Sequence, residues 1–233
     1  MKMRGAQTIL RAVTNPLQIK NLVRGAWCVV CALTLVGCGG KPQHPTPEPT
    51  TPLPTAGIAA QPVAVLPLTL VAAEDSLHWE KVLSERRTVL TRCDSIIAAL
   101  LKERAPEVNW VLPDELRRIA HRSPGIAPSP DQMGSAILFR GTMAKPEMVP
   151  DPLRSELRTL AALAGGGRFA LIPAGLAYKR SKTPGGVATA ELTVVIGDVR
   201  SGRVGFRTVA RGEGGDPWTA LTKAMKNLTP GLP

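Results

Sequence analysis

Aromatic residues make up only 3% of this 233-residue chain, with four Trp, three Phe and one Tyr. A protein that stacks unpaired bases needs interleaved aromatics beside basic residues, and no such platform is present. Histidine is nearly as scarce. His44, His78 and His121 lie far apart, without the close spacing of an HExxH or similar metal motif, so neither a metal nor any other cofactor is expected. No Gly-x-Ser-x-Gly elbow and no Gly-x4-Gly-Lys-(Ser/Thr) phosphate loop occur, and Gly165–Gly167 and Gly212–Gly215 lack the spacing of a dinucleotide fingerprint. Carboxylate pairs such as Asp114-Glu115 fall at helix starts, where the helix dipole accounts for them. The expectation is a protein that is not an enzyme, with no catalytic residue to name.

Acidic residues are missing altogether before Cys38, whereas Lys2, Arg4, Arg11, Lys20 and Arg24 lie there. From Gly25 to Gly37 the chain is apolar for about 13 residues, too short a run to span a bilayer as a helix. A positive start, a short apolar stretch and small residues at its end form a secretory signal over residues 1–37. Its last four residues, Leu35, Val36, Gly37 and Cys38, resemble the lipobox of bacterial lipoproteins. That resemblance implies that Cys38 becomes the first residue and carries lipid, acyl chains of the palmitate kind. Two or more such chains, at about 0.8 kcal/mol per buried methylene, give stable attachment. Gly39 and Gly40 follow in place of the aspartate that retains related lipoproteins in the inner membrane. The expected location is therefore the outer membrane, facing the periplasm.

Removing the signal changes what composition means. Five of the 29 basic residues precede Cys38, so 24 basic against 18 acidic residues leave +6 instead of +11. That balance is too mild for a nucleic-acid signature, and no nucleic-acid partner is expected. Cys28 and Cys31 have Cys-x-x-Cys spacing but leave with the signal. Cys93 then remains as the single unmodified thiol, set among apolar helical neighbours as a small buried hydrophobe.

Residues 38–61 hold the lipidated cysteine and a proline-rich stretch that favours extended polyproline II and serves as a tether. Residues 62–230 are the size of one domain. Val63 to Leu70 reads as a strand troubled by Pro67. Ser76 is expected to cap one helix through about Glu103, carrying Trp79, Leu83, Leu90, Cys93, Ile97, Leu100 and Leu101 on its apolar side. A strand at Val108–Leu112 leads to a helix opening at Pro113-Asp114-Glu115. A loop covers about 122–131, and Ser135–Arg140 reads as a further strand. Asp151-Pro152 opens the next helix, which Gly165–Gly167 stop.

Phe169–Tyr178 reads as a strand made irregular by Pro173 and Gly175. Ala188, Ala190, Leu192, Val194 and Ile196 alternate with Thr189, Glu191 and Thr193. Asp198 to Gly202 turns the chain into a strand with Val204 and Phe206 on one face and Arg203, Arg207 and Arg211 on the other. A last helix, capped at Asp216-Pro217, carries Trp218, Leu221, Met225 and Leu228. The fold class is α+β, a single domain with a mixed or antiparallel sheet flanked by helices. Arg203, Arg207, Arg211 and Glu191 are the candidate partner-binding residues, because arginine forks suit protein interfaces.

Four segments together resemble periplasmic domains of the group that includes the curli-secretion lipoprotein CsgG, the amino-terminal domain of TolB and the activator LpoB. They are Val63-Ala-Val-Leu-Pro, Ala170-Leu-Ile-Pro-Ala, Leu192 to Gly202 with its Asp-x-x-Ser-Gly turn, and the Trp218-Thr-Ala-Leu-x-x-Ala-Met helix. The likeness runs from about Pro62 to Leu228. It departs in having no aromatic after Pro67 and no long membrane-inserting hairpins. The resemblance implies a non-enzymatic, lipid-anchored module that binds an unidentified envelope protein in assembly, transport or wall synthesis. A homo-oligomeric secretion-channel component and an envelope hydrolase with a dispersed site stay open as other classes.

Overall fold

The computed structural model describes residues 50–139, 148–181 and 187–230, all within one compact unit. The expected signal, Cys38 with its lipobox, and the tether up to residue 49 lie outside the described residues. So does Arg140, the end of one expected strand.

The longest strands come late. β4 (Phe169–Arg180), β5 (Ala188–Asp198) and β6 (Val204–Gly214) form an antiparallel meander. The shorter β1 (Pro62–Val65), β2 (Val71–Ala73) and β3 (Asn109–Val111) complete a mixed six-stranded sheet ordered β3-β1-β4-β5-β6, with β2 also beside β4. β1 runs parallel to both β3 and β4, and β2 runs parallel to β4. The class is thus α+β with a mixed sheet.

The run Val63–Leu70 is not one strand. Its start pairs with Phe169–Leu171 as β1, the chain then leaves the ladder, and pairing resumes just past Leu70, where β2 meets Leu176–Tyr178. Pro67 has no amide hydrogen to give to a ladder. The Leu68 amide beyond it donates to the Asp94 carboxylate at 2.8 Å instead of to a strand. β4 shifts register at the same level, between Pro173 and Gly175, so both neighbours are irregular together.

The helices are α1 (Glu80–Leu83), α2 (Arg86–Arg104), α3 (Pro113–Arg122), α4 (Leu153–Leu163) and α5 (Pro217–Leu228). They cover both faces of the sheet. α2 and α5 pack Cys93, Ile97, Leu101, Leu221 and Met225 on the face made by Ala190, Leu192, Val194 and Ile196. α3 and α4 pack Leu116, Leu153, Leu157 and Leu160 on Ala64, Leu66, Ile172, Ala174 and Val195. The alternation read in β5 therefore sorts two buried layers, and even Thr193 on its polar side is buried.

Three local expectations change. The helix from Ser76 is a 3-10 turn at Asp75–Leu77, then α1, then α2 from Arg86. His78 sits in the left-handed region at φ 53°, which ends the first turn, and Ser76 caps nothing. The expected strand from Ser135 is a 3-10 turn, Ser135–Leu138, whose Ser135 hydroxyl lies 2.9 Å from that of Thr69. Val204 and Phe206 do not share a face. The register shifts between Ile196 and Gly197, so Val204 packs towards α3 and α4 while Phe206 packs towards α2 and α5.

Packing begins before Pro62. Leu53 and Ile58 are buried in the core of α2 and α5, and the Leu53 amide donates to the Leu228 carbonyl at 2.8 Å. Residues 50–58, which proline content assigns to the tether, lie against the domain.

Candidate functional site

Antiparallel register places Glu191 on β5 directly opposite Arg211 on β6. The Arg211 Nε donates to Glu191 Oε1 at 3.1 Å, and the Lys179 Nζ from β4 donates to Oε2 at 2.6 Å. One carboxylate thus joins three strands across the sheet. Burial raises the Glu191 carboxyl, but hydrogen bonds and charge from Lys179 and Arg211 outweigh it and hold it below the ordinary range. Arg207, four residues earlier on the same row, pairs in register with Val195 and donates to the Leu138 carbonyl. The row faces the α3 and α4 side.

Of the four sequence-predicted residues, the fold brings Glu191, Arg207 and Arg211 together. Arg203 lies beyond the bulge, at the hairpin end, where its carbonyl accepts from the Asp198 amide and its backbone bridges to Met148. The turn beside it is built by Asp198, whose Oδ1 accepts from the amides of Arg200 and Ser201, with Gly202 at φ 75°. Lys179 was not among the predicted residues. Its place beside Glu191 depends on the β4–β5 register, which the β4 irregularity offsets by one residue.

A second polar cluster has no counterpart in the sequence reading. Asp94, 6% exposed on α2, accepts from Leu68 through Oδ1 and from Arg117 of α3 through Oδ2 at 2.7 Å. Arg117 also binds Asp131 with two nitrogens and Asp114 at 2.9 Å. One guanidinium therefore ties α2, α3 and the turn at Pro130–Gln132 to the break after β1. The signal was available: Asp94 interrupts the apolar stripe Leu90, Cys93, Ile97 and Leu101. A charge at that position requires a buried partner.

Neither cluster pairs a nucleophile with a base. Among the described residues no His, Cys, Asp and Glu side chains converge to hold a metal ion, and no helix is long and apolar enough to cross a membrane. Burial pushes the Cys93 thiol up to about 12, with the adjacent Asp94 charge adding to it, so it is not a thiolate at neutral pH. What these groups do is lock strands and helices in register, leaving a polar, arginine-bearing sheet face.

No known family of proteins matches this chain, and no curated protein matches it. Among solved structures it is similar to the C-terminal domain of LpoB from Salmonella enterica, at 13% identity and a TM-score of 0.34. The match covers 67% of this chain and 84% of that one. At that TM-score the likeness carries no functional argument.

Proposed function

We propose that this chain is a lipid-anchored envelope lipoprotein whose α+β domain is an accessory module that binds a protein partner in the periplasm. The observation that supports it most is the order of features along the chain. A basic, acid-free start leads to an apolar run ending in Leu35-Val36-Gly37-Cys38, then to a proline-rich stretch, then to a packed domain. Lipid on Cys38 holds the chain at the membrane, with the outer membrane favoured by Gly39. Residues 50–58 lie on the domain, so any spacer to the anchor ends before Thr50.

The face built on Glu191, Lys179, Arg211 and Arg207 is the surface we assign to the partner. Lys179 and Arg211 are held by cross-strand contacts to Glu191, and Arg207 by the Leu138 carbonyl, so docking orders little that is not already ordered. Arg203 is not part of this row.

The anchor is tested by intact mass of the amino-terminal peptide from detergent-extracted protein, beside a Cys38→Ser control. A diacylglyceryl-modified Cys38 at the new terminus is expected, and an unmodified terminus or a cut elsewhere overturns it. The face is tested by photo-crosslinking in cells from Thr189 and Glu213, flanking the ladder, against Lys102 on α2. Discrete adducts from the first two positions alone are expected. Equal yields from all three would remove the assignment.

A further inference from the structure

β2 has one bonded edge. The Leu176 amide donates to the Leu70 carbonyl and the Glu74 amide donates to the Tyr178 carbonyl, so residues 70, 72 and 74 turn towards β4. The backbone groups of Val71 and Ala73 point the other way, and among the described residues no strand pairs with that side. Ala72 and Ala73 are exposed. β3, which covers the same side of β1, stops at Val111 opposite Ala64.

Beside this open edge lies a cleft of about 180 Å³ between β2, the turn at Asp75–Leu77, α1 and the start of α2. Val71, Trp79, Leu83, Val89 and Leu90 line it. Its Trp79 wall is fixed by an edge-on contact with Tyr178, ring centroids 5.3 Å apart. The volume falls below the roughly 300–1,000 Å³ of small-molecule pockets and suits one or two aliphatic side chains.

Charge decides what kind. Glu74, Asp75 and Glu80 line the cleft and are exposed; none enters an ion pair among the described residues, and Glu74 Oε2 accepts from the Arg180 amide at 2.9 Å. Arg86 is the one cation in the lining, and it donates to the Thr69 carbonyl at 2.7 Å. This is an acidic rim on a chain that stays basic, 24 basic against 18 acidic residues, from Cys38 onward. It lies on the opposite sheet margin from the β6 edge of the Glu191 ladder.

From these features we propose that the β2 edge and its cleft form a docking site for an extended peptide segment of a partner protein. The segment adds a strand to β2 through the backbone of Val71 and Ala73. It places one Leu-like side chain between Trp79 and Leu83 and flanking Lys or Arg against Glu74, Asp75 and Glu80. Main-chain bonds supply affinity in such strand addition, and the pocket with its charged rim supplies the choice of sequence. The three-residue length of β2 protects the free protein from indiscriminate edge pairing. The site rests on the reading of the chain as a protein-binding module, but it uses a different surface from the Glu191 face.

The test is selection of a random heptapeptide display library on the full chain in detergent, with counter-selection on Leu83→Trp, which fills the cleft. Enriched peptides are then titrated by fluorescence anisotropy against wild type, Ala73→Pro and an Asp75→Lys/Glu80→Lys double variant. Ala73→Pro removes only the outward amide, and the double variant alters exposed side chains that support no part of the core. The expected result is enrichment of an aliphatic residue flanked by Lys or Arg, with affinity at least about tenfold weaker for both variants. No enrichment over Leu83→Trp overturns the proposal. So do acidic consensus peptides, or binding that the double variant leaves unchanged. Because the readout uses neither the lipid nor the Thr189 and Glu213 crosslinks, failure here is distinguishable from failure of the anchor or of the Glu191 face.

Discussion

Asp94 and Glu191 both accept from cations, yet their environments move them in opposite directions. Burial raises Asp94 above the usual carboxylate range, and the bonds from Leu68 and Arg117 offset only part of that. Arg117 is held protonated above its own range, first by its bonds to Asp131. Glu191 is less buried and is pulled below its range by two cations. The linkage signs differ accordingly. Glu191 contributes stability that is complete above the unfolded Glu range, roughly pH 4.3, and lost as pH falls through its lowered folded value. Asp94 holds its proton more tightly when folded, so its contribution declines as pH rises through the carboxylate range. Thermal melts of Glu191→Gln and Asp94→Asn across pH 3–7 are expected to show this directly. The deficit of Glu191→Gln relative to wild type grows with pH, whereas wild type loses ground relative to Asp94→Asn. Parallel profiles would contradict the assignment. Asp94→Ala, which strands the Leu68 amide and breaks the pair with Arg117, is expected to cost about 3 kcal/mol in denaturant unfolding.

At the scale of elements, α5 packs with its backbone close against that of β6. A Cβ on Gly212 would lie 2.1 Å from the Ala224 amide nitrogen and 2.6 Å from the Ala220 carbonyl, so helix backbone rests directly on strand backbone. Gly212→Ala is expected to displace α5 and lower stability by about 3 kcal/mol or more, because no side chain can yield there. The start of α5 is set by Asp216, whose Oδ1 accepts from the amides of Trp218 and Thr219, each at 3.0 Å. Asp216→Ala should cost about 1 kcal/mol, read as a shift in the urea midpoint at unchanged m value. This helix, α3 and α4 were legible because proline and acids mark their starts and apolar residues recur at helical spacing. β4 to β6 were legible through alternation and the Asp198–Gly202 turn. The strap before α2 was not, because a left-handed His78 leaves no mark in hydropathy. Nor was the place of Arg203, since the bulge between Val204 and Phe206 separates it from the row that Arg207 and Arg211 keep.

For the molecule as a whole, the boundary between tether and domain governs what folds. Leu53 and Ile58 are buried beside Leu228, so a chain starting at residue 62 exposes the core that they cover. Each buried aliphatic side chain is worth about 1.5–3 kcal/mol, less the entropy of ordering its segment. Against a chain starting at residue 50, the shorter one is expected to melt roughly 5–10 °C lower. Equal melting points would place residues 50–58 outside the cooperative unit. Beyond that boundary, the two surfaces proposed above lie on different faces of the sheet, the Glu191 row on the α3 and α4 side and the acidic cleft on the α2 side.

Local chemistry alone determined much of this protein. The acid-free start, short apolar run and Cys38, the proline-rich stretch, the amphipathic helices and the β5–β6 hairpin are all readable from neighbours in sequence, because each depends on residues a few positions apart. Only the tertiary structure decided which strands lie side by side, where β1 breaks so that Leu68 can meet Asp94, and that Lys179 completes the Glu191 ladder. Those outcomes depend on register between segments dozens of residues apart. A single bulge or proline resets that register, and no periodicity within one segment records it.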